Sequence, residues 1–313
     1  MPGSYPPAAP TINLTTQLME IHQLLQSPRR LRRRLRTIAD NRFVADRLLT
    51  RRLRTSGGAV LYETGESIYN AREIEAVAPG GEYPRDTPSH GVANLAAVSK
   101  WGQAVFLSDE KLKRSVYMGQ ELDRSLRKTV NTVIRHVDRL TTAAIASDVT
   151  ATHAAIAVWT DGTNARMYRD LELAAATVVD LNEGFMPDMA LMSTSNYALM
   201  ISDDHIANMR RRETRDNPIY GAGIDQVGNY TVVYTAAANL PTDDVWLFDS
   251  TELGGMADEA NADPGYATSS NGVQVQTDRI KGRDGWDLWA RRITVPVVLE
   301  PQAGVRITGT AGS

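Results

Sequence analysis

Seven apolar residues, Leu122, Leu126, Val130, Val133, Val137, Leu140 and Ala144, recur at intervals of 4, 4, 3, 4, 3 and 4. That is the period of one apolar stripe on an α-helix. Arg124, Arg127, Lys128, Arg135, Asp138 and Arg139 fill the other faces. The spacing predicts a helix over Tyr117–Ala146, about 45 Å long at ~1.5 Å per residue. A stripe of that length needs other segments laid along it. The helix is therefore read as a structural girder, and the rest of the chain must supply its cover.

On the N-terminal side no such cover is obvious. Residues 1–14 are rich in proline and read as a mobile end. From Thr15 to about Arg54 the pattern is helical but interrupted. Leu18, Ile21, Leu24 and Leu25 keep helical spacing, and Ser27-Pro28 restarts the chain with a cap and a first-turn proline. Leu31, Leu35 and Ile38 follow, and Asp40-Asn41 opens a third piece carrying Phe43, Val44, Leu48 and Leu49. These pieces are narrow amphipathic rods, an arm that must pack on something else.

Ser56-Gly57-Gly58 ends the arm, and Ala59–Tyr62 reads as a strand. Glu63 to Ala97 has no core pattern. Pro79-Gly80-Gly81 and Pro84–Pro88 mark turns. Val98–Leu107, with Trp101, Val105 and Phe106, reads as the returning strand. Residues 58–107 thus form a long two-stranded excursion, and an isolated hairpin is marginal in water. It has to lie on a partner surface, its own body or another copy.

After Asp148 the pattern is mixed α/β. Strands are predicted at Ile156–Trp159, Met189–Met192, Asn229–Thr235, Val245–Phe248, Asn271–Ile280, Trp286–Val297 and Gly304–Thr308. Helices are predicted at Tyr168–Asn182, with Leu171, Ala175, Val178 and Val179 inward, and at Ser195–Arg211. No internal repeat is evident.

The chain's 313 residues allow roughly two domain-sized units, and an apolar fraction of 42% is enough for a sizeable core. With no cysteine there is no disulfide, thiolate metal site or cysteine nucleophile. No apolar run approaches the ~20 residues of a membrane span, and the first residues lack the pattern of a signal peptide. The expectation is a protein made and kept in a cytoplasm.

A search for chemistry finds no convincing active site. There is no phosphate-binding G-x-x-x-x-G-K-[ST] loop, and Gly221, Gly223 and Gly228 fail the dinucleotide pattern because position 226 is Gln. The five histidines, His22, His90, His136, His153 and His205, are scattered. Asp203-Asp204-His205 is the one acid–histidine cluster, but adjacent helical residues do not face one another. A helix N-terminal cap is the better reading there. No catalytic, cofactor-binding or metal-binding residue is assigned, no cofactor is expected, and the chain is not read as an enzyme.

Charge is the sharper signal. Between Arg29 and Arg54 there are 11 arginines and two acids, Asp40 and Asp46, giving that segment +9. With a net charge of −3, the remainder carries −12. Residues 63–86 hold six acids, Glu63, Glu66, Glu73, Glu75, Glu82 and Asp86, against Arg72 and Arg85. The run Arg29–Arg36 reads first as a solvated or partner-facing helix, then as an inner-surface patch touching nucleic acid. A sequence-reading DNA helix comes last, since no helix-turn-helix or basic-zipper context accompanies it. A basic arm and an acidic loop could attract each other between copies.

The order of parts, and some local wording, resemble a known family. Phe43–Leu49 followed by Gly57–Glu63 is similar to the end of the arm in capsid proteins of phages infecting actinobacteria. Glu75–Pro84 resembles their loop tip. Lys100-Trp101-Gly102 and Val105–Glu110 resemble the return into the long helix. Arg291–Gly309, with Pro301, Ala303 and Ile307-Thr308-Gly309, resembles their closing strands. The resemblance covers about residues 40–310 and is to the major capsid protein of a tailed bacteriophage with the Hong Kong 97-type fold.

The resemblance implies an α+β chain divided into an N-terminal arm (1–57), an extended hairpin loop (58–107), a peripheral domain around the spine helix (108–148 and 270–313) and an axial domain (149–269). It implies self-assembly into hexamers and pentamers of an icosahedral shell in the virion, assembled in the host bacterial cytoplasm around double-stranded DNA. Portal, scaffold and decoration proteins are further implied partners, with non-specific contact to packaged DNA and no membrane. Some members crosslink by a lysine–asparagine bond. Here the loop tip has no lysine and no asparagine follows Asn271, so no crosslink is expected. An encapsulin nanocompartment shares the fold and is the second reading. A nucleic-acid-binding regulator is the third, but it leaves the hairpin and girder unexplained.

Overall fold

The computed structural model describes residues 44–55, 57–87, 90–114, 118–209, 226–259, 265–268 and 272–311. The helices among them are α1 (Ala45–Leu48), α2 (Asp109–Arg114), α3 (Met118–Asp148), α4 (Met167–Val179), α5 (Thr194–Ser202) and α6 (Asp204–Met209). The strands are β1 (Arg51–Thr55), β2 (Ala59–Thr64), β3 (Val92–Ala97), β4 (Ser99–Ser108), β5 (Thr152–Ala154), β6 (Met189–Ser193), β7 (Gln226–Val227), β8 (Tyr230–Thr235), β9 (Val245–Phe248), β10 (Gly254–Glu259), β11 (Ala267–Thr268), β12 (Gln274–Ile280), β13 (Gly285–Val298) and β14 (Gly304–Thr308). This is the α+β class expected. The arm pieces read over residues 15–43, the arginine run among them, lie outside the described residues.

The described chain divides into two compact units. The larger holds residues 44–99, 135–259 and 293–311, the smaller 100–134 and 265–292. Helix α3 runs through both in sequence. It forms where the period predicted it, with Leu122, Leu126, Val130, Val133 and Val137 buried. Leu140 and Ala144 are half-buried, while Ile134, Thr141, Thr142 and Ile145 are buried beside them. The buried stripe is therefore wider than the seven-residue seam, as in a globular core helix.

In the larger unit six strands pair in the order β5-β14-β9-β6-β8-β7. Strand β6 runs parallel to β8 and antiparallel to β9, and all five of its residues are buried. A strand covered on both faces reads as a continuous apolar run, and Met189-Ala-Leu-Met does. Helix α4 lies against β5, β9 and β14. The core there gathers Leu171, Ala174 and Val178 of α4 with Met192, Val232, Leu247, Val305 and Ile307. Asp170, fully buried on α4, accepts hydrogen bonds from Trp159 Nε1 at 3.0 Å and Ile156 N at 3.2 Å. Ser193 caps α5 by accepting from the Asn196 amide at 3.2 Å.

The same unit also pairs β1 parallel with β10, Arg51 opposite Gly255, and β10 antiparallel with the end of β13, Gly254 opposite Val298. A Cβ on Gly254 would lie 2.2 Å from the Val297 carbonyl oxygen, so only glycine lets these backbones approach.

In the smaller unit β12 pairs antiparallel with β11 and with the beginning of β13. Strand β4 also lies on β13. Gly102 sits against Arg291 and Gly285 against Phe106, so the two strands run in opposite directions. The β12–β13 turn places Asp284 in the left-handed region at φ 43°. The Asp284 carbonyl accepts from Asp109 N at 3.0 Å, and the Asp109 carboxylate takes both arms of Arg279 at 2.7 and 2.6 Å. These ties fix the start of α2.

Several expectations need correction. Residues 51–54 are strand, not helix. They pair in parallel with β10, Arg51 opposite Gly255 through Thr55 opposite Glu259. The strand read at 98–107 is β4, but the partner of β2 is β3, one segment earlier. The strand read at Ile156–Trp159 lies instead at Thr152–Ala154. Trp159 is buried in the following turn and Ile156 is half exposed. The helix read at 195–211 breaks at Asp203, whose backbone is extended. Val179, read as inward, is exposed at the end of α4.

Candidate functional site: the long hairpin loop and its anchors

Strands β2 and β3 pair antiparallel, Leu61 opposite Leu95 and Tyr62 opposite Asn94. Alternation puts Leu61 and Leu95 on one face of the ladder. That face is bare: Leu61 is 74% exposed and Leu95 69%. Residues 65–87 contain no helix or strand. They are held by local ties. Pro79-Gly80 makes a turn closed by Gly81 N donating to the Ala78 carbonyl at 2.8 Å, with Gly80 at φ 83°, the geometry a type II turn asks of its third residue. Asp86 accepts from the amides of Arg72 at 3.0 Å and Thr87 at 2.8 Å, and these bonds hold its carboxyl below the usual range. Arg72 pairs with Glu75 at 3.0 Å and Arg85 with Glu82 at 2.8 Å.

The loop bends around an open hollow of about 750 Å³ lined by Arg72, Ile74, Val77, Tyr83 and Asp86 among others. Ile74 is fully exposed, and Tyr83, Ile68 and Val92 are mostly so. Large apolar side chains left this exposed around one hollow, as Ile74 and Tyr83 are, suit an interaction surface.

The loop's root is tied to the body of its unit. Ser67 Oγ and Ile68 N both donate to Glu183, each at 2.9 Å, and Gly65 N donates to Glu300. The end of the arm is anchored as well. Ala45 N donates to the buried Asp138 of α3 at 2.9 Å, and Leu48 and Leu49 are fully buried. Thr50 Oγ1 donates to the Ser250 carbonyl at 2.6 Å, Arg51 pairs with Glu252, and Arg52 pairs with Asp46 at 2.8 Å and Asp258 at 3.6 Å.

In the smaller unit, Val105, Lys111, Glu121, Arg124, Ser125 and Lys128 line a groove of about 460 Å³. Lys111 and Glu121 lie 3.0 Å apart, and that bond, with the charges of Arg124 and Lys128, holds the Glu121 carboxyl below its ordinary value. Three cations to one carboxylate leave the groove basic.

The residues weighed for chemistry fall elsewhere. Asp203 caps α6: its Oδ1 accepts from the His205 amide at 3.0 Å. The His205 ring faces the Arg166 guanidinium, a neighbour that a metal-binding imidazole would not have. Among the described residues no group of three or more His, Cys, Asp and Glu side chains converges on a metal-sized space. Gly228 serves the β7–β8 turn at φ 60°, against the Tyr168 ring. Gly221, Gly223 and Arg29–Arg36 lie outside the described residues. No described helix is long and apolar enough to cross a membrane. What sequence reasoning missed was the root: Glu183 and Glu300 reach it across more than a hundred residues, and no local pattern announces such a tie.

No curated protein sequence matches the chain. Solved structures do. The fold is similar to that of Microbacterium phage Oxtober96, at 13% identity and TM-score 0.55, covering 85% of this chain and 90% of that one. It is similar to the capsid structure of the cyanophage P-SCSP1u, at 14% identity and TM-score 0.58, covering 85% and 87%. It is also similar to the virus-like particle of Pyrococcus furiosus, at 11% identity and TM-score 0.56, covering 89% and 98%. These likenesses, at such low identity, establish the fold, the Hong Kong 97-type. The sequence model for phage capsid protein matches residues 92–307, more than two thirds of the chain. By that match the chain belongs to the phage capsid protein family, and it is a capsid shell protein.

Proposed function

We propose that this chain is the major capsid protein of a tailed phage, assembling into hexamers and pentamers of an icosahedral shell around double-stranded DNA. The observation that carries the reading is the bare Leu61–Leu95 face on a loop without core of its own, in a chain of the phage capsid family. The hairpin needs a surface, and a second copy of the chain supplies one at every position in a closed shell. In this reading residues 1–57 are the arm, 58–107 the extended loop, 108–148 and 270–313 the peripheral domain and 149–269 the axial domain. Portal, scaffold and decoration proteins are its further partners, and assembly takes place in the host cytoplasm. Electron microscopy of the expressed full chain tests the reading. Closed shells of regular diameter are expected, and virion shells built of this chain should protect double-stranded DNA from nuclease. Particles no larger than a small oligomer, under conditions where the chain is folded, would overturn it.

A nanocompartment shell enclosing protein cargo is the second reading, favoured by the likeness to the Pyrococcus furiosus particle. It predicts native particles that contain enzymes and no genome.

A further inference from the structure

Between Arg124 and Arg139 the exposed side of α3 carries one sign of charge. Arg124, Arg127, Lys128, Arg135 and Arg139 are exposed, while the single carboxylate of that span, Asp138, is buried. Every large apolar side chain of the span is buried too. Asn131 and Thr132 fill exposed places between the cations. In the smaller unit Lys111 of α2 adds a cation beside Arg124 and Lys128, around a groove that Ser125 also lines. The groove's one acid, Glu121, is taken by Lys111 at 3.0 Å. Among the described residues Arg124, Arg127 and Lys128 form no ion pair. Protein interfaces are depleted of charge at their centres and gather aromatic groups there. This face has neither property. Arginine, lysine, serine and asparagine without an apolar centre are the residues that hold phosphate oxygens.

We infer that the α3 face around Arg124, Arg127 and Lys128 is a binding surface for the phosphate backbone of double-stranded DNA. Cations laid on the duplex release the counterions condensed there, and that release drives binding without regard to base sequence. Arg124 and Lys128 stand one helical turn apart, with their Cβ atoms about 5–6 Å from each other, so both reach the same strand. Ser125 supplies a hydroxyl of the kind that donates to phosphate oxygens. Lys111 is held back by Glu121 and is a cation in reserve. The competing occupant is the acidic loop of a second copy. Its carboxylates already have partners: Glu75 pairs with Arg72, Glu82 with Arg85, and Asp86 takes the Arg72 and Thr87 amides. A duplex has a free charge at every phosphate. This assignment deepens the shell reading and takes from it the choice of DNA as the polyanion.

Fluorescence anisotropy of a labelled duplex of about 30 base pairs, titrated with the full chain over a range of salt, tests it. Each phosphate contact contributes about 0.9 to the slope of log affinity against log salt. The triple variant Arg124→Gln, Arg127→Gln, Lys128→Gln should flatten the slope by about 2 to 3 and weaken binding at least about tenfold near ~0.1 M salt. Glutamine keeps the helix propensity, and thermal melting checks the fold. Glu121→Gln frees Lys111 and should steepen the slope by about 1, a result that stands even where the triple variant does not fold. Arg72→Gln with Arg85→Gln removes two exposed cations of the loop and should leave the slope unchanged. The arginines of residues 29–54 are common to every variant, so the differences report α3. Where the chain assembles at every concentration used, the duplex held by the particles after nuclease treatment reads the same differences. A folded triple variant with the wild-type slope would overturn the inference. Loss of shells in that variant with duplex binding intact would overturn it too, and give the face to the acidic loop of a second copy. Electron microscopy of the same wild-type chain judges the shell reading separately: shells with unaltered slopes sink the DNA surface alone.

Discussion

Leu61 and Leu95 stand opposite each other across the β2–β3 ladder, and both remain mostly exposed. A leucine pair in that position normally gives a sheet its adhesion, because directly opposed side chains are the closest neighbours on a face. Here the pair is turned outward. Replacing both with serine should leave the fold intact, since exposed substitutions usually change stability by no more than about 0.5 kcal/mol. Assembly should fail or slow severely. Thermal melting and gel filtration of the double variant separate the two effects, and unchanged particle yield would remove this face from the assembly contacts.

Asp138→Ala tests the anchor of the arm. The Ala45 amide loses its acceptor in a buried place, a loss worth about 1–3 kcal/mol. Urea unfolding should show a lower midpoint, and exchange at Ala45 should accelerate ahead of the rest of the chain. Asp138→Asn, which keeps an acceptor oxygen, should recover most of the loss.

Gly254→Ala places a methyl group 2.2 Å from the Val297 carbonyl oxygen unless the strands part. Overpacking of this kind costs roughly 1–3 kcal/mol. A melting temperature equal to that of the wild type would show that β10 and β13 separate without penalty.

The tie at the loop tip should loosen in strong acid. Asp86 is held as a carboxylate by the Arg72 and Thr87 amides, so its pKa is lowered. A lowered value means that the tie is complete above the ordinary carboxylate range and is lost as pH falls through the lowered pKa. Exchange at Arg72 and Thr87 should therefore quicken in strong acid, and Asp86→Ala should show the quickened rates at every pH.

Assembled particles that are boiled in detergent should migrate as single chains. The loop tip carries no lysine to form an interchain bond. A ladder of higher bands would refute this. Reversing the charges of Arg29–Arg36 should lower shell yield, and a wild-type yield would exclude those arginines from assembly.

Much of this architecture was legible in order along the chain. Helix α3 was readable because Leu122–Val137 repeat on one face, and β6 because Met189–Met192 is a short apolar run. Strand β10 was not, because Gly254-Gly-Met-Ala-Asp-Glu lacks every strand-forming residue type; it is a strand because β1 and β13 flank it. Without β10, Arg51–Thr55 had no visible partner and continued the helical pattern before it. The loop was recognisable by its missing core pattern. Its carboxylate ties were not, since Ser67 and Glu183 are 116 residues apart and each looks like an ordinary surface residue.

The parallel pairing of β1 with β10 also sets a clock. Thr50 donates to a carbonyl 200 residues further along the chain. At ~5–20 residues per second, a nascent chain waits roughly 10–40 s between making the arm's end and making the strand that receives it. Throughout that interval β1 is without the strand that receives it. Any strand that pairs with β1 in that time competes with β10, so the order of synthesis, as well as the finished contact, selects its partner.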